Sequence, residues 1–124
     1  MQGIHSFRTE ICDGVTIVFL AERIDPRHQR TIERDLALLM DQSSRLVLDL
    51  SGVQKLDSVG LGAIIGCLKR VRAQGGELKL CGPSKYARTL LELVRMHRVM
   101  DIFNTRQEAV ESFTAQRWRA YVAA

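Results

Sequence analysis

The chain has 124 residues, 46% hydrophobic and 26% charged, enough for one domain with a packed core and without metal or disulfide support; this excludes a disordered or membrane-embedded protein. Eighteen basic against fourteen acidic residues leave a net charge of +4. The Lys and Arg are spread along the sequence without aromatic companions, which argues against a nucleic-acid binder and reads as solubility with a weak preference for acidic partners.

Phe7 to Asp13 and Val15 to Ala21 form two extended segments joined at Asp13-Gly14, a dipeptide that favours a tight hairpin. Asp25-Pro26 has the character of a helix cap and a first-turn proline, and Ile32, Leu36, Leu39 and Met40 then recur at helical spacing up to a break at Ser43-Ser44. Leu46 to Leu50 is a consecutive apolar run of strand length, expected to lie centrally with both faces covered. Ser58 is placed to cap a second helix with Leu61, Ile64, Ile65, Leu68 and Val71 on its apolar face, ending at Gly75-Gly76. Glu77 to Cys81 is the next strand. Gly82-Pro83-Ser84 then opens a third helix with Leu90, Leu91 and Val94 inward, and Val99 to Phe103 is a short edge strand. Thr105 with Glu108 has the spacing of a capping box before a last helix through Ala109, Val110 and Phe113. The order ββαβαβα(β)α predicts an α/β fold: one mixed sheet of four or five strands, starting with a β-hairpin, with about four helices packed on it.

The strand, loop and glycine-containing helix around Ser58 invite a nucleotide-binding reading, since helix N-termini bind phosphate. The spacing is wrong for it. Gly60-x-Gly62 is followed by Ile65 where a dinucleotide fingerprint needs a small residue, and no GK[ST] is present. Gly62, Ala63 and Gly66 instead suggest a helix lying close to the sheet. No GxSxG elbow surrounds Ser58, so no catalytic residue is assigned. His5, His28 and His97 lack paired spacing and are expected at the surface, and no metal site is assigned. Cys12, Cys67 and Cys81 lack ligand spacing and read as small buried residues in a reducing compartment. The N-terminus has no apolar core, and the apolar stretch Leu61 to Leu68 falls short of the roughly 20 residues that span a bilayer, so a cytoplasmic protein without membrane insertion is expected. Lys69, Arg70 and Arg72 read as the solvated face of the second helix.

LVLDLSGVQKLDSVGLGAI followed by GGELKLCGPSKYARTLLEL resembles the STAS domain of bacterial anti-sigma-factor antagonists, and the order of elements agrees over about residues 10–113, leaving 114–124 as a C-terminal extension of a single domain. Asp57 to Leu61, Asp-Ser-x-Gly-Leu, is the specific motif. The resemblance implies a phosphorylation site at Ser58, modified by an anti-sigma factor that is a serine kinase of histidine-kinase-like ATPase fold. The unphosphorylated antagonist binds that kinase and frees the sigma factor, and a serine phosphatase resets the cycle. ATP and magnesium belong to the kinase, so no cofactor is expected in this chain. The implied partner-binding residues are Asp25, Asp57, Ser58, Val59, Gly60 and Leu61.

Three positions depart from the family's usual pattern. Val59 replaces Ser or Thr and leaves Ser58 as the one hydroxyl of the motif; Glu22, ahead of Asp25, and Arg95, near the end of the third helix, each replace glycine. Asp25 suits a helix cap as well as a partner contact. Two other readings stay open: a docking or scaffold STAS subunit of a transporter or signalling complex that is never phosphorylated, and a small-molecule or nucleotide-binding domain with its ligand at the start of the second helix. A homodimer is also open, and Trp118 and Tyr121 in the extension could pack on the last helix or contact another subunit.

Overall fold

The computed structural model describes residues 8–20 and 29–123. Strands β1 (Arg8–Cys12) and β2 (Val15–Phe19) form the antiparallel hairpin, in register from Arg8 opposite Phe19 to Cys12 opposite Val15. Asp13 (φ 53°) and Gly14 (φ 78°) both occupy the left-handed region, as a two-residue turn of type I′ demands and as Asp and Gly tolerate. Helix α1 (Gln29–Gln42), β3 (Arg45–Asp49), α2 (Ser58–Ala73), β4 (Glu77–Cys81), α3 (Lys85–Leu93), β5 (Ile102–Phe103) and α4 (Arg106–Ala123) follow, with one 3-10 turn at Met96–Arg98. Asp25-Pro26, the expected cap of α1, lies outside the described residues.

The strands are ordered β1-β2-β3-β4-β5, and every pair after the hairpin is parallel. Sequential parallel strands joined by right-handed crossovers place the connecting helices on one face of a sheet. Here α1, α2 and α3 cover that face, packing on Val18, Leu46, Leu48, Leu78 and Leu80. Only α4 is left for the opposite face, where Ala109, Val110 and Phe113 cover Val15, Ile17, Val47 and Cys81. The central strand β3 therefore points Leu46 and Leu48 one way and Val47 the other, which accounts for its unbroken apolar run.

The helix ends follow local chemistry. α2 stops where Gly76 N–H donates to the Val71 carbonyl (2.9 Å) and Gly75 N–H to that of Arg72 (3.0 Å), a Schellman pair. Ser84 caps α3 by accepting from Ala87 N–H at 3.1 Å. Thr105 and Glu108 satisfy one another's backbone N–H at 3.1 Å each, the capping box expected at α4.

Three expectations are corrected. Gly62 and Gly66 do not approach the sheet: a Cβ at either would meet nothing within 4 Å, and the small residue turned inward is Ala63. Val94 is 48% exposed, because it caps α3 where the chain already turns away. Cys12 is exposed on the edge strand, whereas Cys67 and Cys81 are buried. Helix α4 runs on through 114–123; the side chains of Trp118 and Tyr121 are outside the described residues.

Lys79, not singled out by the sequence, is the one charged side chain among the largest fully buried groups described, at 1% exposure on the α4 face of β4. Its ammonium donates to Ser112 Oγ (2.7 Å) and lies 3.5 Å from Glu77, 3.8 Å from Asp101 and 4.1 Å from the Phe113 ring centre. A buried cation is tolerated only when it is paired and hydrogen-bonded. These contacts provide that and tie α4 to the sheet.

Arg95 follows the cap of α3 with φ 61° and ψ 30°, a left-handed backbone that a Cβ disfavours. This explains in physical terms why glycine is the usual residue there. Arg95→Gly is expected to stabilise the fold by about 0.5–1 kcal/mol, read as a higher urea midpoint at an unchanged slope.

Candidate functional site

The site is the loop between β3 and α2 with the first turn of α2. β3 ends at Asp49, whose Oδ1 accepts from Ser51 N–H at 2.8 Å and turns the chain off the sheet. Val53 N–H donates to the Leu50 carbonyl at 2.9 Å. Val53 and Leu56, 2% and 3% exposed, anchor the loop on the core while Ser51, Gly52, Gln54, Lys55, Asp57 and Ser58 remain exposed. The apolar pair thus fixes a loop whose polar residues are exposed.

Asp57, not Ser58, caps α2. Its backbone is extended (φ −115°, ψ −173°), its Oδ1 accepts from Gly60 N–H at 2.9 Å, and its carbonyl accepts the first helical bond from Leu61 N–H at 2.9 Å. The motif contains two good capping residues in succession, and the chain enters the helix one residue earlier than expected. Ser58 becomes the first helical residue, exposed, with no hydrogen bond to its hydroxyl from the described residues. With the amides of Gly60 and Leu61 engaged by Asp57, those of Ser58 and Val59 have no acceptor within the helix. An exposed hydroxyl therefore stands beside N–H groups without an acceptor among the described residues, at the positive end of a helix dipole.

Of the residues implied as partner-binding, Asp57 and Ser58 are exposed, Val59 is half-buried, and Gly60 and Leu61 are buried. The last two serve the helix and the core, and any contact they make with a partner is through backbone or neighbours. Asp25 is outside the described residues.

The loop after β4 lies against this site. Leu50 N–H donates to the Cys81 carbonyl at 2.9 Å, and Gly82, at φ 68°, sits where a Cβ would lie 3.2 Å from Ser51 Cβ and 3.4 Å from Asp49 Oδ1. Glycine permits both the left-handed turn and this close approach. Tyr86, in the first turn of α3 at the same edge of the sheet, is 66% exposed and adds an aromatic contact surface. Asp49, Gly82 and Tyr86 were not assigned from the sequence. The available signal was the Asp-x-Ser spacing at the end of an apolar run, which marks a side chain able to turn the backbone.

The Cys81 thiol, buried and hydrogen-bonded to Asp49, is pushed up to about 12 by burial first and by the Asp49 carboxylate second, with Arg106 acting the other way. A raised thiol pKa stabilises the fold fully below the ordinary value of 9.0, and the contribution is lost as pH rises from there through about 12. Among the described residues no three His, Cys, Asp or Glu side chains gather to hold a metal.

A five-stranded mixed sheet with three helices on one face, one on the other and, at the head of α2, an exposed serine whose hydroxyl has no hydrogen bond among the described residues defines a small α/β domain. The STAS domain family matches over residues 6–109, and the chain belongs to it. The anti-sigma F factor antagonist of Paenibacillus polymyxa is 30% identical over 99 residues, 78% of this chain and 85% of that protein. A crystal structure of a Thermotoga maritima protein, named as a candidate anti-sigma factor antagonist, superposes with a TM-score of 0.81 at 26% identity, covering 88% of this chain and 95% of the other. The Bacillus cell fate determinant SpoIIAA in its phosphorylated form shares the fold, with a TM-score of 0.68 at 19% identity over 87% of this chain and 99% of that one. No helix among the described residues is long and apolar enough to cross a membrane.

The capping assignment is testable by denaturant titration. Asp57→Ala should cost about 1 kcal/mol, whereas Ser58→Ala should leave stability within about 0.5 kcal/mol; the reverse order would return the cap to Ser58. Thiol labelling at pH 8 should modify Cys12 rapidly while Cys67 and Cys81 react only on unfolding, and three equally fast thiols would contradict the burial described.

Proposed function

We propose that this chain is an anti-sigma-factor antagonist whose unphosphorylated form binds a kinase-type anti-sigma factor and releases the sigma factor, and which is switched off by phosphorylation of Ser58. The observation that carries the reading is that Asp57 takes over the capping of α2, leaving the Ser58 hydroxyl exposed and without a structural task. The family membership and the names of the relatives support the general role, and a protein of this fold is known in a phosphorylated form. The chain acts as substrate and binding module, not as enzyme. The kinase supplies ATP and magnesium, a serine phosphatase restores the hydroxyl, and the work is done in the cytoplasm.

The physics suits a switch that spares the fold. A phosphoryl group adds about −1.5 to −2 charges. At the start of α2 it meets the unengaged amides of Ser58 and Val59 and gains about 0.3–1 kcal/mol from the dipole, which offsets repulsion from Asp57. A partner docked over the loop has no such compensation. Desolvating an unpaired dianion costs several kcal/mol, and each 1.4 kcal/mol is about tenfold in affinity. Asp57, Val59 and Tyr86 complete the partner surface on this side, with Asp25 as a further contact.

Incubation with the cognate anti-sigma kinase and ATP, followed by peptide mapping by mass spectrometry, should place one phosphate on Ser58 and none on the Ser58→Ala variant. Full labelling of that variant would sink the assignment. Ser58→Asp should bind the anti-sigma factor at least about tenfold more weakly with an unchanged circular dichroism spectrum. Equal affinity would remove the switch while leaving the binding role intact.

A further inference from the structure

We propose that the end of the molecule opposite Ser58 is a second docking surface, fitted to an acidic amphipathic segment of a protein partner. The parallel topology separates the two ends. α2 and α3 both begin at the edge where β3 and β4 end, and both run back to the opposite edge, so α2 places Arg72 about 20 Å from Ser58. There the Arg72 guanidinium donates to the Val99 carbonyl and clasps the strap that follows α3 to the end of α2.

This corner exposes Leu93 at 74%, Val94 at 48% and Val99 at 44%, three aliphatic side chains within seven residues on one side of the strap. Arg95 and Arg98 of the strap and Arg72 of α2, which reaches Val99, are exposed beside them, and Lys69 and Arg70 are exposed in the turn of α2 before Arg72. The same stretches carry one carboxylate, Glu92. Asp41, Glu77 and Asp101 also lie on this side; Asp41 accepts from Gln74, and Glu77 and Asp101 share Lys79, so these carboxylates reduce the positive excess without cancelling it. An apolar centre ringed by excess positive charge is complementary to an apolar stripe flanked by acidic side chains.

Cations in the last turn of a helix also complement its dipole, which is reason enough for Arg70 and Arg72. It does not account for the exposed aliphatics, nor for Arg95, which holds a left-handed backbone where glycine would sit without strain. Strain kept at an exposed cation is what a binding role would maintain. His97 is the one ring among these exposed residues, and the lack of an exposed Phe, Tyr or Trp beside it disfavours base stacking and an interfacial membrane anchor, whereas arginine beside aliphatics suits a protein interface.

The test is a titration of the isotopically labelled full chain with a synthetic 18-residue amphipathic helix of Leu and Glu, followed by amide chemical shifts. Shifts should concentrate at residues 69–72 and 93–99. Arg95→Glu combined with Arg98→Glu should weaken binding about tenfold, and Leu93→Ser several-fold. Arg95→Gly should raise stability while lowering affinity. Raising the salt should weaken binding progressively. Absent or scattered shifts, equal binding of the Lys counterpart of the peptide, or binding only to vesicles containing phosphatidylserine would overturn the proposal. None of these outcomes depends on Ser58, so the phosphorylation switch stands or falls separately.

Discussion

The structure depends on burying β3 on both faces. Leu46, Leu48 and Leu50 are at most 1% exposed and Val47 is fully covered, so no face of this strand can be left to water. Each such side chain contributes about 1.5–3 kcal/mol on burial, and the parallel pairing on both sides requires crossovers long enough to hold helices. Three crossover helices on one face and α4 on the other are the solution this chain adopts. Because β3 cannot shift without exposing residues, its C-terminal end is a fixed platform, and the loop that leaves it through the Asp49–Ser51 hydrogen bond carries Ser58 at a defined place.

At that platform, neighbouring residues have different duties. Asp57 closes the helix, Val53 and Leu56 hold the loop down, and Ser58 is left exposed with no hydrogen bond to its hydroxyl among the described residues. Under the proposed switch, a cap at Ser58 would compete with its own modification, whereas the division seen here would let charge be added at the surface with the core undisturbed. On the second face, the buried ammonium of Lys79 adds contacts to Ser112 and the Phe113 ring of α4 to the apolar packing of Ala109, Val110 and Phe113, with Glu77 and Asp101 balancing its charge.

Arg95 shows stability and surface chemistry in conflict. Its backbone conformation favours glycine, yet its side chain stands among the cations at the far end of α2 and α3. The two ends of the crossover helices thus differ in character. One presents a hydroxyl beside an acidic cap, and the other an apolar and basic corner.

The sequence by itself determined the order of elements, because the signals that set it are local. The Asp13-Gly14 turn, the Ser84 cap, the Gly75-Gly76 stop and the Thr105–Glu108 capping box each act within a few residues, and the unbroken run at Leu46 to Leu50 marks a covered strand whatever covers it. Ser58 was legible as the candidate site for the same reason, through a contiguous motif. Tertiary structure alone decided what depends on helix phase and on residues far apart in the chain. It chose Asp57 over Ser58 as cap, turned Gly62 and Gly66 to solvent, buried Lys79 against a helix more than thirty residues later, and brought Arg72 onto the strap that carries Arg95 and Arg98 through the Arg72–Val99 clasp. Local hydrogen-bonding preferences cannot rank two adjacent caps, and charge along a sequence carries no record of which charges will be neighbours in space.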